Sequence, residues 1–219
     1  FRSEYIIHFY GACVIPNHIC MVTEFAQYGS LQDLFNNIPK GSDKELTLKM
    51  KMKVVLDATR GILYLHENGI LHRDIKPDNI LILSLEKDII TNGKLTDFGS
   101  SRNINLLMTN MTFTRGVGTP KYMAPEILNK QHYKKAADIY SLAVTFFETL
   151  IWGEAYPLKL FPFPWNVADY IASGRRRELQ SNMNEEAYDI INDMWVQKPE
   201  ERMTAMEVVK SIEAIYNKI

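Results

Sequence analysis

The stretch of sequence that decides the fold is residues 71–79, Leu-His-Arg-Asp-Ile-Lys-Pro-Asp-Asn, followed by Thr-Asp-Phe-Gly at residues 96–99. Both are short polar turns beside apolar runs, and together they carry two acids and one amide: Asp74, Asp97 and Asn79. A positioned carboxylate can take a proton from a hydroxyl group. Carboxylate and amide oxygens are the hard ligands that Mg²⁺ prefers. The two turns therefore supply what moving a phosphoryl group to a hydroxyl requires.

Composition sets broad limits on the rest of the molecule. A length of 219 residues fits one large domain or two small lobes, and 46% of the residues are hydrophobic. The formal net charge of -1 gives no overall attraction to nucleic acid or acidic membranes. No run approaches the roughly 18 apolar residues of a membrane span. Two cysteines, Cys13 and Cys20, do not make a disulfide framework. We therefore expect a reducing compartment, either the cytoplasm or the cytoplasmic part of a longer protein.

The first part of the chain predicts a hairpin and two helices. Residues 5–15 and 19–23 are apolar and β-rich, and Pro-Asn-His at 16–18 forms a turn between them. Ser30 is placed to cap a short helix. Apolar positions at helical spacing predict a long helix from residue 47 to residue 66, ended by Asn-Gly.

The second part of the chain becomes mainly helical. Short strands are predicted at 80–83 and 94–96, around a polar excursion at 86–93. Residues 100–119 are polar, rich in Thr and Asn, and without an apolar period, so we expect a mobile loop there. The pattern after this loop predicts four helices, at residues 136–151, 167–172, 185–195 and 205–215.

Taken together, the two turns at residues 71–79 and 96–99 resemble the signature of eukaryotic protein kinase catalytic domains, of the Ser/Thr type and the tyrosine-kinase-like branch. The resemblance implies an α+β, protein-kinase-like fold with a mainly α-helical C-terminal lobe and a remnant of the N-terminal sheet. Residues 1–25 would be the end of the small lobe and the start of the hinge, and residues 26–219 the large lobe. The family's glycine-rich loop, strand lysine and helix glutamate would precede Phe1, so we expect the 219 residues alone to be inert or nearly so.

The resemblance also implies roles for the polar residues of the two turns. Asp74 matches the catalytic base, and Lys76 would place positive charge on the transferring phosphate. Asn79 and Asp97 match the ligands of Mg²⁺, and both would thereby contact ATP. Thr119, in the Gly-Thr-Pro run, would reach Asp74 and Lys76 with its hydroxyl.

Residues 23–31 resemble the segment that links the two lobes of a kinase. Adenine needs a flat apolar slot with a backbone donor and acceptor at its edge. The carbonyl of Glu24 and the amide and carbonyl of Ala26 match the family's positions for that edge. Thr23 would lie at the back of the slot, and Leu81 would form its floor.

Several further residues match structural positions of the family. Glu126 is expected to pair with Arg202, although surface charges would give the same pattern. Asp138 matches the helix acid that holds the backbone of the catalytic loop. His72 is expected to pack in the core, bond to backbone and stack with Phe98. The histidines and cysteines show no metal-ligand spacing, which makes a zinc site unexpected.

Regulation and specificity are also indicated. In the family, an arginine at the position of Arg73 binds a phosphate on the activation loop. Thr109, Thr112 and Thr114 lie in the matching stretch, and a merely solvated Thr-rich loop is the alternative. Lys76 and the Gly-Thr-Pro run resemble Ser/Thr kinases, while tyrosine or dual specificity stays open.

Three classes of function remain in view. The first is an ATP- and Mg²⁺-dependent kinase acting on Ser/Thr-containing segments of a protein substrate, without nucleic acid as a partner and without a membrane segment within this chain. The second is a kinase-shaped scaffold or pseudokinase that binds partners without turnover. The third, a small-molecule kinase, is disfavoured because residues 118–126 suit a peptide in extended form.

Overall fold

The computed structural model describes residues 2–16, 18–103 and 120–219, and within them the fold is α+β, as expected. Its strands form antiparallel pairs: Phe9–Ile15 with His18–Thr23, Ile70–Leu71 with Arg102–Asn103, and Ile80–Ile82 with Gly93–Leu95. The strands are β1 (Phe9–Ile15), β2 (His18–Thr23), β3 (Ile70–Leu71), β4 (Ile80–Ile82), β5 (Gly93–Leu95) and β6 (Arg102–Asn103). The α-helices are α1 (Leu31–Asn37), α2 (Leu48–Glu67), α3 (Pro125–Leu128), α4 (Lys135–Ile151), α5 (Pro164–Ala172), α6 (Glu185–Met194) and α7 (Ala205–Tyr216).

The predicted N-terminal hairpin forms as β1 and β2. The Glu24 N–H donates to the His8 carbonyl at 2.8 Å and closes its base. The Ile7 N–H donates to the Leu95 carbonyl at 2.9 Å and joins that base to the rest of the molecule. Beyond that base, large apolar side chains on the hairpin face solvent. They are Phe9, Tyr10, Val14, Ile15, Ile19, Met21 and Val22.

The core is built around α4 and α2. Every residue of α4 from Ala137 to Ile151 is buried, which makes it a central helix with contacts to α2 and α6. The long helix α2 begins after Thr47, whose hydroxyl accepts from the Met50 N–H. In the same way, the Ser30 hydroxyl at the start of α1 accepts from the Asp33 N–H. Both caps satisfy backbone donors that a helix start leaves unpaired. Gly69, with φ of +70°, turns the chain from the end of α2 into β3.

The structure adds two features that the sequence patterns did not predict. Residues 102–103, inside the expected loop at 100–119, pair as β6 with β3; residues 104–119 of that loop lie outside the described residues. The polar excursion before β5 is anchored from α2, because Lys53 Nζ contacts both oxygens of Asp57 and the Ile90 carbonyl at 2.7 Å. Asp57 in turn accepts from the Asn92 N–H at 2.8 Å, which fixes where β5 begins.

Candidate active site

A buried carboxylate on α4 holds the backbone of residues 72–73. Asp138 is fully buried and accepts hydrogen bonds from the N–H groups of His72, at 3.0 Å, and Arg73, at 2.9 Å. His66 Nε2 lies 2.9 Å from the same carboxylate, and the Tyr133 hydroxyl donates to it at 2.8 Å. The expected role of Asp138 as the anchor of this loop is confirmed.

The chemistry of Asp138 follows from these partners. Burial alone would raise the pKa of its carboxyl group, but the hydrogen bond and charge of His66, with the nearby His72 and the Arg73 amide, lower that pKa overall. The ionised form can therefore hold Arg73 in a left-handed conformation, with φ of +73°. A non-glycine residue keeps such a conformation only where its surroundings enforce it.

His72 joins the two signature turns through its ring. Its Nε2 lies 2.9 Å from the Thr96 carbonyl oxygen, and the Asp74 N–H donates to its Nδ1 at 3.3 Å. Burial lowers the pKa of His72, against the opposing charges of Asp138, Asp74 and Asp97. A neutral ring with the proton on Nε2 satisfies both contacts, since Nδ1 then accepts and Nε2 donates.

The same ring also packs against the second turn. His72 and Phe98 have ring centroids 5.4 Å apart with a tilt of 57°. The expected core position of His72, its backbone bond and its contact with Phe98 are all confirmed.

Asp74, Lys76 and Asn79 form a compact polar group. One oxygen of Asp74, Oδ2, accepts from Lys76 Nζ at 2.8 Å and from Asn79 Nδ2 at 3.0 Å. Asn79 Nδ2 also donates to the Asp74 backbone carbonyl at 2.7 Å, which holds the buried amide in one orientation. That orientation leaves Asn79 Oδ1 as an acceptor. Within the described residues, no hydrogen bond engages the second carboxylate oxygen of Asp74.

Asn79 and Asp97 lie at the same end of the β4–β5 hairpin. Ile80 pairs with Leu95, and the Thr96 N–H donates to the Asn79 carbonyl at 3.0 Å. Asp97 follows in a left-handed conformation with φ of +58°, its side chain exposed and its Oδ1 accepting from the Gly99 N–H at 3.2 Å. The pairing of the strands thus brings residues 18 positions apart in sequence to one edge of the fold (97 − 79 = 18).

The segment that links the hairpin to α1 is fixed against β4. The Tyr28 N–H donates to the Ile82 carbonyl at 3.1 Å, and the Ile82 N–H donates to the Gly29 carbonyl at 2.8 Å. Leu81, which precedes Ile82 on β4, is half-buried. The side chain of Glu24 is held from β5, because Lys94 Nζ contacts both of its carboxylate oxygens, at 2.9 and 2.7 Å.

The backbone groups of this segment differ in what they bind. The Ala26 carbonyl accepts a turn bond from the Gly29 N–H at 3.2 Å. Among the described residues, neither the Ala26 N–H nor the Glu24 carbonyl takes part in a hydrogen bond. Thr23 ends β2 with its side chain exposed.

Residues 120–124 are held to α4 by a contact that the sequence analysis missed. The Tyr122 hydroxyl donates to Glu148 Oε2 at 2.7 Å, and the Ser141 hydroxyl donates to the Tyr122 carbonyl at 2.8 Å. Burial raises the pKa of Glu148, although the positive charge of Lys121 opposes that change. Thr119, the residue expected to reach Asp74, lies outside the described residues. Glu148 gave no sequence signal of its own because it lies within the apolar run of α4.

A buried ion pair connects this region to the C-terminal helices. Arg202 donates through both terminal nitrogens to the two oxygens of Glu126, each at 2.7 Å. The same guanidinium donates to the carbonyls of Val196, Ala136 and Gln197, so all five of its N–H donors are used. The expected pairing is confirmed, and the alternative of surface charges is wrong because both side chains are buried.

The described residues contain neither a cluster of metal-ligating side chains nor a membrane-spanning helix. No group of three or more His, Cys, Asp or Glu side chains there is arranged to hold a metal ion. Within residues 2–16, 18–103 and 120–219, no helix has both the length and the apolar character to cross a membrane.

Comparison with known families agrees with this geometry. Residues 1–212 match the protein kinase domain family, and the chain belongs to it. The chain is 32% identical to "Probable serine/threonine-protein kinase gdt9" of Dictyostelium discoideum, over 99% of its own length and 15% of that protein. It is 29% identical to "Serine/threonine-protein kinase STY46" of Arabidopsis thaliana, over 100% of its length and 36% of that protein. It is 32% identical to "RGS domain-containing serine/threonine-protein kinase A" of Dictyostelium discoideum, over 98% of its length and 18% of that protein.

Proposed function

We propose that this chain is the catalytic part of a protein serine/threonine kinase, which transfers the γ-phosphoryl group of ATP to Ser or Thr hydroxyls of a protein substrate. The observation that carries the proposal is the pair of hydrogen bonds made by the His72 ring. One bond holds the turn that contains Asp74, and the other holds the strand end that leads into Asp97. Membership of the kinase family and the Ser/Thr kinase names of the relatives support it.

In this proposal Asp74 is the base. In the part of the chain that the structure describes, hydrogen bonds reach only its Oδ2, from Lys76 and Asn79, so we assign Oδ1 to orient a substrate hydroxyl and to take its proton. Lys76 lies beside that carboxylate, where its ammonium group can also attract an oxygen of the transferring phosphate. Asp74 would then be held in place while only its free oxygen contacts the substrate.

Asn79 Oδ1 and the Asp97 carboxylate are the proposed ligands of Mg²⁺. The donor set fits, because Mg²⁺ in phosphoryl-transfer sites is usually held by one or two carboxylates with waters and substrate phosphates rather than by a full protein cage. When bound, the ion would neutralise charge on the phosphates. The exposed side chain of Asp97 leaves space for such a complex.

The adenine ring is proposed to lie against the segment fixed on β4. Among the described residues the Glu24 carbonyl and the Ala26 N–H have no hydrogen-bond partner, so we assign them to its polar edge. The Ala26 carbonyl can contribute its second lone pair, because the bond from Gly29 uses only one. Leu81 would form the floor and Thr23 the back. In this proposal residues 1–25 are the end of a small lobe and the start of the hinge, and residues 26–219 are the large lobe.

Transfer to Ser and Thr is proposed from the position of Lys76 and from the Gly-Thr-Pro run that contains Thr119. In the full-length polypeptide from the native gene, we expect radiolabel from γ-labelled ATP to appear on phosphoserine and phosphothreonine. Label on phosphotyrosine alone would overturn the specificity.

One substitution separates the kinase from the scaffold. In the full-length polypeptide, Asp74→Asn should lower the transfer rate by about 10²- to 10⁴-fold, the usual contribution of a positioned acid or base. Asp78→Asn is the matched control, since Asp78 is an exposed acid in the same turn. Equal, background-level label in the wild type and in both variants would instead favour the scaffold that binds without turnover.

A further inference from the structure

The two cysteines of the chain lie opposite each other on the β1–β2 hairpin. Cys13 pairs with Cys20 in the antiparallel register, between the pairs Ala12–Met21 and Val14–Ile19. Residues directly opposite in such a ladder project to the same face of the sheet, with Cα atoms about 4.5–5.5 Å apart. That separation falls within the about 4.4–6.8 Å that a disulfide bond spans.

Both thiols are accessible. Cys13 is exposed and Cys20 is partly exposed, and both are free thiols in the structure. Their neighbours on the same face of the sheet, Ile15 and Val22, are each 51% exposed, so nothing in the described part of the hairpin covers the pair. The chain has two cysteines in all, and the register places both at one site.

We propose that Cys13 and Cys20 form a reversible redox pair, which closes to an intramolecular disulfide by exchange with a small disulfide such as oxidised glutathione. One protein thiolate attacks the small disulfide, which gives a mixed disulfide and releases one small thiol. The second protein thiolate attacks the protein's own cysteine sulfur in that mixed disulfide and releases the second small thiol. Two protein thiols are oxidised, one small disulfide is reduced to two thiols, and the two protons pass to them.

The cross-strand pairing of Cys13 with Cys20 favours the second step, in which the intramolecular disulfide closes. Groups held on one short, ordered hairpin meet at an effective concentration of about millimolar or above, and the closing step needs no second encounter. A transient disulfide of this kind is also the form that cysteine oxidation takes in most reducing compartments, where stable structural bridges are rare. The bond would covalently join β1 to β2, and β2 leads directly into Thr23 and Glu24.

The test is a titration of the chain with mixtures of reduced and oxidised glutathione, quenched with an alkylating agent and read by intact mass. The wild type should lose both thiols together, stay monomeric, and hold no lasting glutathione adduct. A reductant should restore both thiols. Cys13→Ser and Cys20→Ser should each retain glutathione on the remaining cysteine.

A relocated thiol provides the matched control. In the double variant Cys20→Ser with Ile19→Cys, the second thiol moves by one residue and therefore to the opposite face of the sheet. Both of its cysteines should keep separate glutathione adducts, and circular dichroism should show the same fold as in the wild type. Glutathione adducts or disulfide-linked dimers in the wild type at the level of this variant would overturn the proposal, as would thiols that do not react.

Discussion

The ring of His72 donates from Nε2 to the carbonyl oxygen of Thr96 at 2.9 Å, across 24 positions of sequence. On its other side, Nδ1 accepts from the Asp74 N–H. One neutral imidazole thus sets the distance between the turn that contains the proposed base and the strand end that leads to Asp97. The geometry of the proposed active site therefore depends on a residue that need not touch the substrate.

The first prediction concerns pH. Burial keeps the pKa of His72 below its ordinary value of about 6.5. Below that pH the unfolded chain binds a proton that the folded chain does not, so the free energy of unfolding should fall as pH decreases. Above about pH 6.5 this contribution is fully present.

Urea denaturation from about pH 7.5 to about pH 5.5 measures that dependence. The wild type should lose more stability over this range than His72→Gln, which has no titratable ring. Parallel pH dependences for the two proteins would show that the His72 ring titrates in the folded chain as it does in the unfolded one.

The second prediction concerns the anchor of the catalytic loop. Asp138→Asn presents an amide N–H₂ group to donors that need an acceptor, and each buried donor left unpaired costs about 1–3 kcal/mol. We expect the free energy of unfolding to fall by about 3 kcal/mol or more, because the carboxylate serves several donors at once. Asp169→Asn, an exposed acid on α5, is the control and should change little. Equal denaturation midpoints for the two variants would contradict the role given to Asp138.

The third prediction concerns the buried ion pair. Arg202→Met leaves the Glu126 carboxylate buried and unpaired, which should cost about 3–5 kcal/mol. Adding Glu126→Leu removes that orphaned charge and should recover part of the loss. The control is Lys198→Met, because Lys198 pairs with Glu201 at 2.7 Å on the exposed surface and should matter little. If the double variant is no more stable than the single one, the orphaned charge is not the cause.

The fourth prediction concerns residues 120–124 in the full-length polypeptide, which are part of the segment 118–126 that suits a peptide substrate in extended form. Tyr122→Phe removes the hydroxyl that bonds Glu148, a hydrogen bond to a charged or strongly polar group worth about 1.5–3 kcal/mol. We expect KM for the protein substrate to rise by up to about tenfold, the equivalent of about 1.4 kcal/mol, with KM for ATP unchanged. Tyr216→Phe, at the end of α7, is the control for loss of a tyrosine hydroxyl. An equal rise in both KM values would indicate general loosening of the fold.

Sequence patterns predicted the features that depend on local chemistry. The long helix was predicted at 47–66 and forms at Leu48–Glu67, because its caps and its apolar period lie within one segment. The Ser30 cap, the Asp138 anchor and the Glu126–Arg202 pair also form as predicted. For the last two, the family resemblance supplied the partner that spacing alone could not.

Patterns missed the contacts that depend on long-range packing. Two-residue strands such as β3 and β6 are too short to show a period, so their pairing is visible only in three dimensions. Lys53 and Asp57 have the i, i+4 spacing of an ion pair on the exposed face of a helix, yet packing buries both side chains under the loop before β5. Glu148 finds Tyr122 across 26 positions, a contact that no local signal marks. The proposed roles of Asp74, Lys76, Asn79 and Asp97 stay predictions until chemistry is measured.

The most direct test of the central proposal is the position of a metal ion. In crystals of the full-length polypeptide grown with Mn²⁺ and a non-hydrolysable ATP analogue, anomalous scattering should place Mn²⁺ between the Asp97 carboxylate and Asn79 Oδ1. The terminal phosphate should then face Asp74. A metal–nucleotide complex bound elsewhere, or a terminal phosphate out of reach of Asp74, would contradict the account.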